Sequence, residues 1–445
     1  IENDNIQELQ VISGTFNAEY GKALTGVVNM VTKDGGNQFD GSIHSYAGDY
    51  KSNDIIYNNL NKFDIQDDYS ISANLSGPLL KDKITFYSSG RINQSKGWLN
   101  GLQTFTIYGD TIFNDTNDNL YLDGSETQKK PYYKGLNGYS SWSTQNKITF
   151  NILQSTVFKI NSILNSKESQ DFNHALQLLE NAQRTNYNQG RFFGFSISHS
   201  ISPTTFAQIN ISENAYNFKS YLFENPLDSR YITPDSLFWA QIENRIPEHI
   251  IEEYGDQVQY YPAYSLYKAG VDNRRFERET KTRTYKFDFT SQVNKFNLIK
   301  LGLDFTEHVL LLDSYSILDS TLTDRVYSPQ IPEIGSFTRT NYDYNPKEFA
   351  IYAQDKIEYG DMIINLGLRY ERFNPNSKIP NNIHEPYIKD PRNPALDSLT
   401  QQQLENIDWG ATSYTEIDSN GNTIDYSYAN FYERFNDQPN LANKR

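Results

Sequence analysis

The sequence predicts an all-β protein, a partial up-and-down antiparallel transmembrane β-barrel preceded by a short element of different pattern. Three observations carry that prediction. Apolar and polar residues alternate with period 2 through most of the chain, the mark of strands with two unlike faces. The links between those strands are alternately short and long. Hydrophobic residues make up only 37% of 445 residues, yet aromatics reach 14%, with 33 Tyr and 26 Phe. A conventional core of that size needs more aliphatic side chains. A wide barrel has a polar interior and needs only a narrow apolar band outside.

Charge and cysteine content exclude several classes. A net charge of −15 opposes nucleic acid as a partner, because phosphate binding needs a basic surface. The absence of cysteine removes disulfides, thiol catalysis and cysteine zinc sites. No stretch is apolar for the roughly 18 residues that a membrane helix needs, whereas barrel strands never require such a run.

The first element is "GKALTGVVNMVTKDGG" (21–36), which reads as a turn, a short apolar strand and a hinge. Val27, Val28, Met30 and Val31 are nearly continuous, which predicts a strand buried on both faces. Gly35 and Gly36 then release the chain, and alternating strands begin at Gly41. We expect them near 41–50, 67–77, 83–93, 143–151, 155–166, 190–200, 204–214, 281–293, 297–311, 347–358 and 362–373, with another possible in 411–430. In "DYSISANLS", Tyr69, Ile71, Ala73 and Leu75 share one face. In "TYKFDFT", Tyr285, Phe287 and Phe289 oppose Lys286, Asp288 and Thr290. In "INLGLRYE", Ile364, Leu366, Leu368 and Tyr370 oppose Asn365, Gly367, Arg369 and Glu371. Helical periodicity is confined to "HALQLLENAQR" (174–184) and to "IENRIPEHIIEEYG" (242–255), which Pro247 interrupts.

The links sort by parity. Short turns fall at "PLLKD", "LQS", "ISP", "NKF" and "YGD". Long segments fall at 51–66, 94–142, 167–189, 215–280, 312–346 and after 373. A membrane barrel has short turns on one rim and long loops on the other. A soluble sandwich or propeller has no reason to sort its loops this way, although strand alternation alone also fits a large secreted β-protein.

At this point the residues resemble a known family. "ELQVISGTFNAEYGKALTGVVNMVTKDGG" (8–36) resembles the end of the plug domain of TonB-dependent outer-membrane receptors, where a Gly-rich segment leads into a "GVVNIVTK"-type strand. It is most similar to the Oar-like branch, whose members carry a carboxypeptidase-regulatory-like domain upstream. "SGPLLKDKITFYSSGRIN" (76–93) resembles early barrel strands of that branch, and "FAIYAQDKIEYGDMIINLGLRYERFNP" (349–375) a later hairpin. The resemblance implies the C-terminal end of a plug domain at 1–36 and the N-terminal part of an outer-membrane barrel, incomplete, at 37–445. It implies a barrel of about 22 strands, so the chain is expected to be a fragment of a longer product. The signal peptide, most of the plug and the TonB-contacting segment would lie upstream. The implied function is plug-gated uptake of an unidentified extracellular ligand, energised by the inner-membrane TonB complex, with outer-membrane lipid around the barrel. The alternatives are a non-transporting surface barrel serving adhesion or secretion, and a soluble secreted β-protein.

Enzymatic motifs are lacking: there is no G-x-S-x-G, H-E-x-x-H or P-loop, and the six histidines are scattered. The chain is therefore read as a non-enzyme with no catalytic cofactor. One constellation has ligand spacing. In "DTNDNLYLDGSE", Asp115, Asn117, Asn119, Asp123 and Glu126 occupy positions 1, 3, 5, 9 and 12 of a calcium loop, with the Tyr121 carbonyl at position 7. Leu120 stands where such loops use Gly for their sharp turn, and no flanking helices are evident. The two readings are a structural calcium ion bracing a long external loop, and an Asn/Asp-rich polar loop without metal. "DSNGNTID" (418–425) reads as a turn. Trp98, Trp142 and Trp239 lie near strand ends or in loops, where the plain reading is an interfacial aromatic girdle and the sharper one is stacking on a sugar or peptide.

Overall fold

The computed structural model describes residues 5–13, 17–21, 26–54, 57, 59–110, 112–114, 127–128, 132–232, 239–240, 266–267, 269–319, 328–336, 338–377, 413–417 and 423–427. Period-2 alternation becomes strand throughout. Two strands come first, β1 (Ile6–Ser13) and β2 (Gly26–Thr32), paired antiparallel as a separate two-stranded sheet. Eleven strands follow. They are β3 (Asp40–Gly48), β4 (Asp68–Leu80), β5 (Ile84–Ser95), β6 (Tyr139–Leu153), β7 (Thr156–Ser169), β8 (Thr185–Ser202) and β9 (Thr205–Tyr221). The remaining four are β10 (Arg274–Gln292), β11 (Asn297–Ser316), β12 (Lys347–Tyr359) and β13 (Met362–Asn374).

These eleven pair in strict chain order, each antiparallel to the next, within one twelve-stranded sheet. The additional member, Arg339–Tyr344, pairs with the upper part of β11. All eleven coincide with the strands expected from the sequence, most of them extended by several residues at the long-loop end. The short links sit on one rim. Residues 413–417 and 423–427 pair antiparallel with each other in a separate two-stranded sheet, not as members of the large one.

Register defines two faces. On one, large apolar side chains remain exposed, including Ile71, Ile211, Tyr285, Phe287, Leu301, Leu303, Ile351 and Leu366. Leu368 is 84% exposed. On a sheet this size such a face has one stable environment, the hydrocarbon of a bilayer. Toward the long-loop end this band stops at charge. Glu213, Arg283, Glu307 and Lys347 share one register line across β9 to β12. Two ion pairs lie along it, Arg283–Glu213 at 2.7 Å and Lys347–Glu307 at 3.0 Å. The opposite face carries Ser, Thr, Asn, Gln, Lys and Asp, the lining of a hydrated lumen. Among the described residues no helix is long and apolar enough to cross a membrane.

Two expectations are corrected. β2 is not buried on both faces: Val28 is 63% exposed, and Met30 and Val31 are exposed too. A two-stranded sheet gives β2 a single neighbour, β1, and no described layer packs over its apolar residues. The window 174–184 is not a helix beyond the single 3-10 turn His174–Leu176. Its backbone is used elsewhere: the Leu178 carbonyl accepts from the Thr104 and Phe105 N–H groups, and the Glu180 N–H donates to the Phe105 carbonyl. Those bonds preclude i to i−4 pairing. The other helical window, 242–255, lies outside the described residues.

Candidate site between the N-terminal segment and the barrel wall

The polar face of the sheet is the face that meets the N-terminal segment, and it does so at two places. The first is built on β5, β6 and β7. Alternation places Tyr87, Lys147 and Lys159 on the same face, with Lys147 opposite Tyr87 and Lys159 opposite Thr149. Lys147 Nζ donates to the Thr32 carbonyl at 2.8 Å and to Thr32 Oγ1 at 3.3 Å. It also lies 2.7 Å from Asp34 Oδ1. Lys159 Nζ donates to Asp34 Oδ2 at 2.8 Å. Tyr87 Oη donates to Asn5 Oδ1 at 2.8 Å, and the Lys33 N–H donates to the Asn5 carbonyl at 2.9 Å. The ends of β1 and β2 are therefore gathered on one patch of wall.

The energetics of this patch rest on Lys147, whose side chain is only 9% exposed. A buried ammonium is tolerable only when paired and hydrogen-bonded. Asp34 supplies the charge and Thr32 the remaining acceptors. Burial works against ionisation of Asp34, but hydrogen bonds from Lys147 and Lys159, with their charges, outweigh it and hold the carboxyl below its ordinary range. Gly35 follows at once and passes close to β5. A Cβ there would lie 2.3 Å from the Phe86 carbonyl oxygen, so no larger residue fits this exit path.

The second contact is built on β11, β12 and β13. Lys300 Nζ donates to both carboxylate oxygens of Glu19, each at 3.1 Å, across 281 residues of sequence. The Glu19 N–H donates to Gln354 Oε1 at 3.3 Å, and Arg369 reaches the Ala18 carbonyl at 3.5 Å. Arg369 Nε is held by Glu371 Oε1 at 2.5 Å. Three strands, β8 to β10, separate the two contacts in the sheet, so the segment spans the lumen face rather than lying along one strand.

At the long-loop rim the connections pack on one another. Leu176, Leu179, Ala182, Tyr231, Val271 and Ile317 are buried together, drawn from three separate loops. Phe105 and Ile107 of a fourth loop pack against them. Arg275, 4% exposed, ties this cap to β10. It donates to the carbonyls of Phe223 at 2.5 Å and Glu224 at 3.1 Å, and to Tyr231 Oη at 3.3 Å. A cavity of 660 Å³ opens nearby, its lining including Asp49, Asp67, Lys96, Lys134, Tyr139 and Glu168.

The sequence-derived calcium ligands Asp115, Asn117, Asn119, Tyr121, Asp123 and Glu126 lie outside the described residues. Among the described residues no three His, Cys, Asp or Glu side chains cluster as a metal site. Trp142 is exposed on the apolar face of β6, and Trp98 packs edge-on to Tyr57 at 6.0 Å. The side chain of Trp239 is outside the described residues. Sequence reasoning passed over Asp34, Lys147, Lys159, Glu19 and Lys300. A signal existed for the lysines: each is a cation on the polar face of its strand, as in "STQNKITF" and "VFKINS".

The fold and its two unlike faces define an outer-membrane β-barrel. Residues 163–383 match the family model described as TonB dependent receptor-like, beta-barrel. Over 92 residues the chain is 28% identical to the TonB-dependent transporter Oar of Myxococcus xanthus, covering 19% of this chain and 8% of that protein. The fold is similar to the outer membrane transporter YddB from Escherichia coli, with a TM-score of 0.52 at 10% identity. That superposition covers 84% of this chain and 44% of YddB, so the chain spans less than half the length of that relative.

Proposed function

We propose that this chain is part of a TonB-dependent outer-membrane receptor that takes up an extracellular ligand. Residues 1–36 serve as the C-terminal end of its plug, and the loop cap forms part of the ligand-capturing rim. The observation that carries this reading is the double tether. The N-terminal segment is held on the lumen face by Asp34 with Lys147 and Lys159, and by Glu19 with Lys300. Such a segment blocks the lumen at rest, and its contacts are charged and hydrogen-bonded rather than apolar. Polar contacts of this kind are replaced by water when pulled apart, so a force delivered through the TonB complex can release them.

The test uses Thr32, which is buried against Lys147. The native sequence has no cysteine. A Thr32→Cys variant of the full-length receptor, with any cysteine outside these 445 residues replaced by serine, gives one thiol, read by maleimide labelling in intact cells. Labelling is expected to rise when the cells are energised and to fall with a protonophore. Labelling that ignores the protonophore overturns energised gating and supports a static surface scaffold.

A further inference from the structure

Between the first tether and the long-loop rim, the lumen wall holds a small chamber. It has a volume of 170 Å³ and is enclosed by β4 to β7 and by Asn5 of the N-terminal segment. Its deepest side chain is Gln145, 2% exposed, and neither the oxygen nor the nitrogen of its amide has a hydrogen-bond partner. Ser89 beside it is buried with its hydroxyl unpartnered. Gln145 and Ser89 are opposite each other in register, so both point into the same space. Buried polar atoms are almost always satisfied, and leaving an amide without partners costs about 1–3 kcal/mol.

We propose that this chamber is a binding subsite for a neutral, hydroxyl-bearing ring, such as one residue of a sugar. The inference rests on the uptake reading, because the chamber faces the lumen through which a ligand would pass. Three observations select the chemistry. The inward lining is dominated by neutral groups that both donate and accept, Gln145, Ser89, Ser72, Asn74 and Asn165; hydroxyl groups of a ligand have the same dual capacity. An anion would need a concentration of N–H donors. Here the backbone amides of β4, β5 and β6 are committed to the sheet ladder, and Arg91 is the single cationic side chain in the lining. Ile163 supplies one apolar contact for the C–H face of a ring. The size agrees: a cavity of about 150 Å³ accommodates one six-membered ring.

The experiment uses the full-length receptor in detergent, with glucose and maltose as probes and inorganic phosphate as the contrast. Saturation-transfer NMR reads binding, and thermal unfolding reads the fold. Both sugars are expected to bind the wild type. Gln145→Leu, of nearly the same volume, is expected to weaken them about tenfold, the loss of one or two neutral hydrogen bonds, without lowering the melting temperature. Three outcomes overturn the subsite: no transfer to either sugar, equal affinity in the variant, or binding of phosphate alone. A lower melting temperature in Gln145→Leu also overturns it, because the amide would then be satisfied by the chain itself. Failure here leaves the Thr32→Cys labelling result untouched, so the subsite and the gating reading are judged separately.

Discussion

Lys147 lies 2.7 Å from Asp34 and donates to the Thr32 carbonyl at 2.8 Å, so one ammonium on the wall holds both the last residue of β2 and the acid two positions beyond it. Lys159 takes the second oxygen of the same carboxylate. The chain leaves β2 through this pair of cations before it enters the barrel sheet. Whatever loosens Asp34 therefore loosens the whole exit of the segment.

Replacing Asp34 with Asn leaves the Lys147 ammonium buried without a counter-charge. Because Asp34 is itself partly exposed, the cost falls below that of a fully buried pair, at about 1–3 kcal/mol. Amide hydrogen exchange across β2 is expected to accelerate roughly 5- to 150-fold, while exchange in β9 to β11 stays unchanged.

Acid should release the same contact. The Asp34 carboxyl in the folded protein sits below its ordinary value. Its contribution is fully present above the unfolded-state value of about 3.9 and is lost as pH falls through the lower folded-state value. Thiol labelling of Thr32→Cys in detergent is expected to stay slow at about pH 5 and to rise only well below about pH 4. A reagent reactive at low pH, such as a pyridyl disulfide, reads it.

The two faces of the sheet should differ sharply in tolerance. Leu303→Arg places a cation in the apolar band and is expected to cost about 2–4 kcal/mol in folding into lipid bilayers. Asn214→Asp, on the lumen face of β9, should fold with unchanged midpoint. Denaturant titration in large vesicles separates them.

Arg275→Met keeps most of the side-chain length but removes every donor to Phe223, Glu224 and Tyr231. The loss is expected at about 2–4 kcal/mol, local to the cap. Limited proteolysis should cut first within 222–232, with the sheet left intact.

How much was legible follows from which forces are local. The eleven barrel strands could be read because one face meets hydrocarbon and the other water, and that requirement is written at every second residue. Tyr285, Phe287 and Phe289 announce it without knowledge of their neighbours. The strand β2 was legible but its burial was not, because Val27 to Val31 report apolar content and not what covers it, and its partner β1 went unread. The segment 174–184 misled for a related reason. Leu176, Leu179 and Ala182 are spaced for a helix, yet the same spacing served a cap made of several loops. The tethers were the least legible: Glu19 and Lys300 are 281 residues apart, and nothing in either local pattern names the other. The calcium spacing at 115–126 lies outside the described residues and stays a matter for metal titration.

The length of β10 and β11 has a consequence for how solutes approach. These strands have 19 and 20 residues. At about 3.3 Å per residue and a tilt near 40° they rise roughly 50 Å, about twice the apolar band of a bacterial outer-membrane barrel. The rim thus stands as a chimney some 20 Å clear of the lipid on that side. Ions screen charge over about 8 Å at physiological strength. A solute arriving at the rim is therefore beyond the electrostatic reach of the headgroups, and its first encounter is with the protein's own loops.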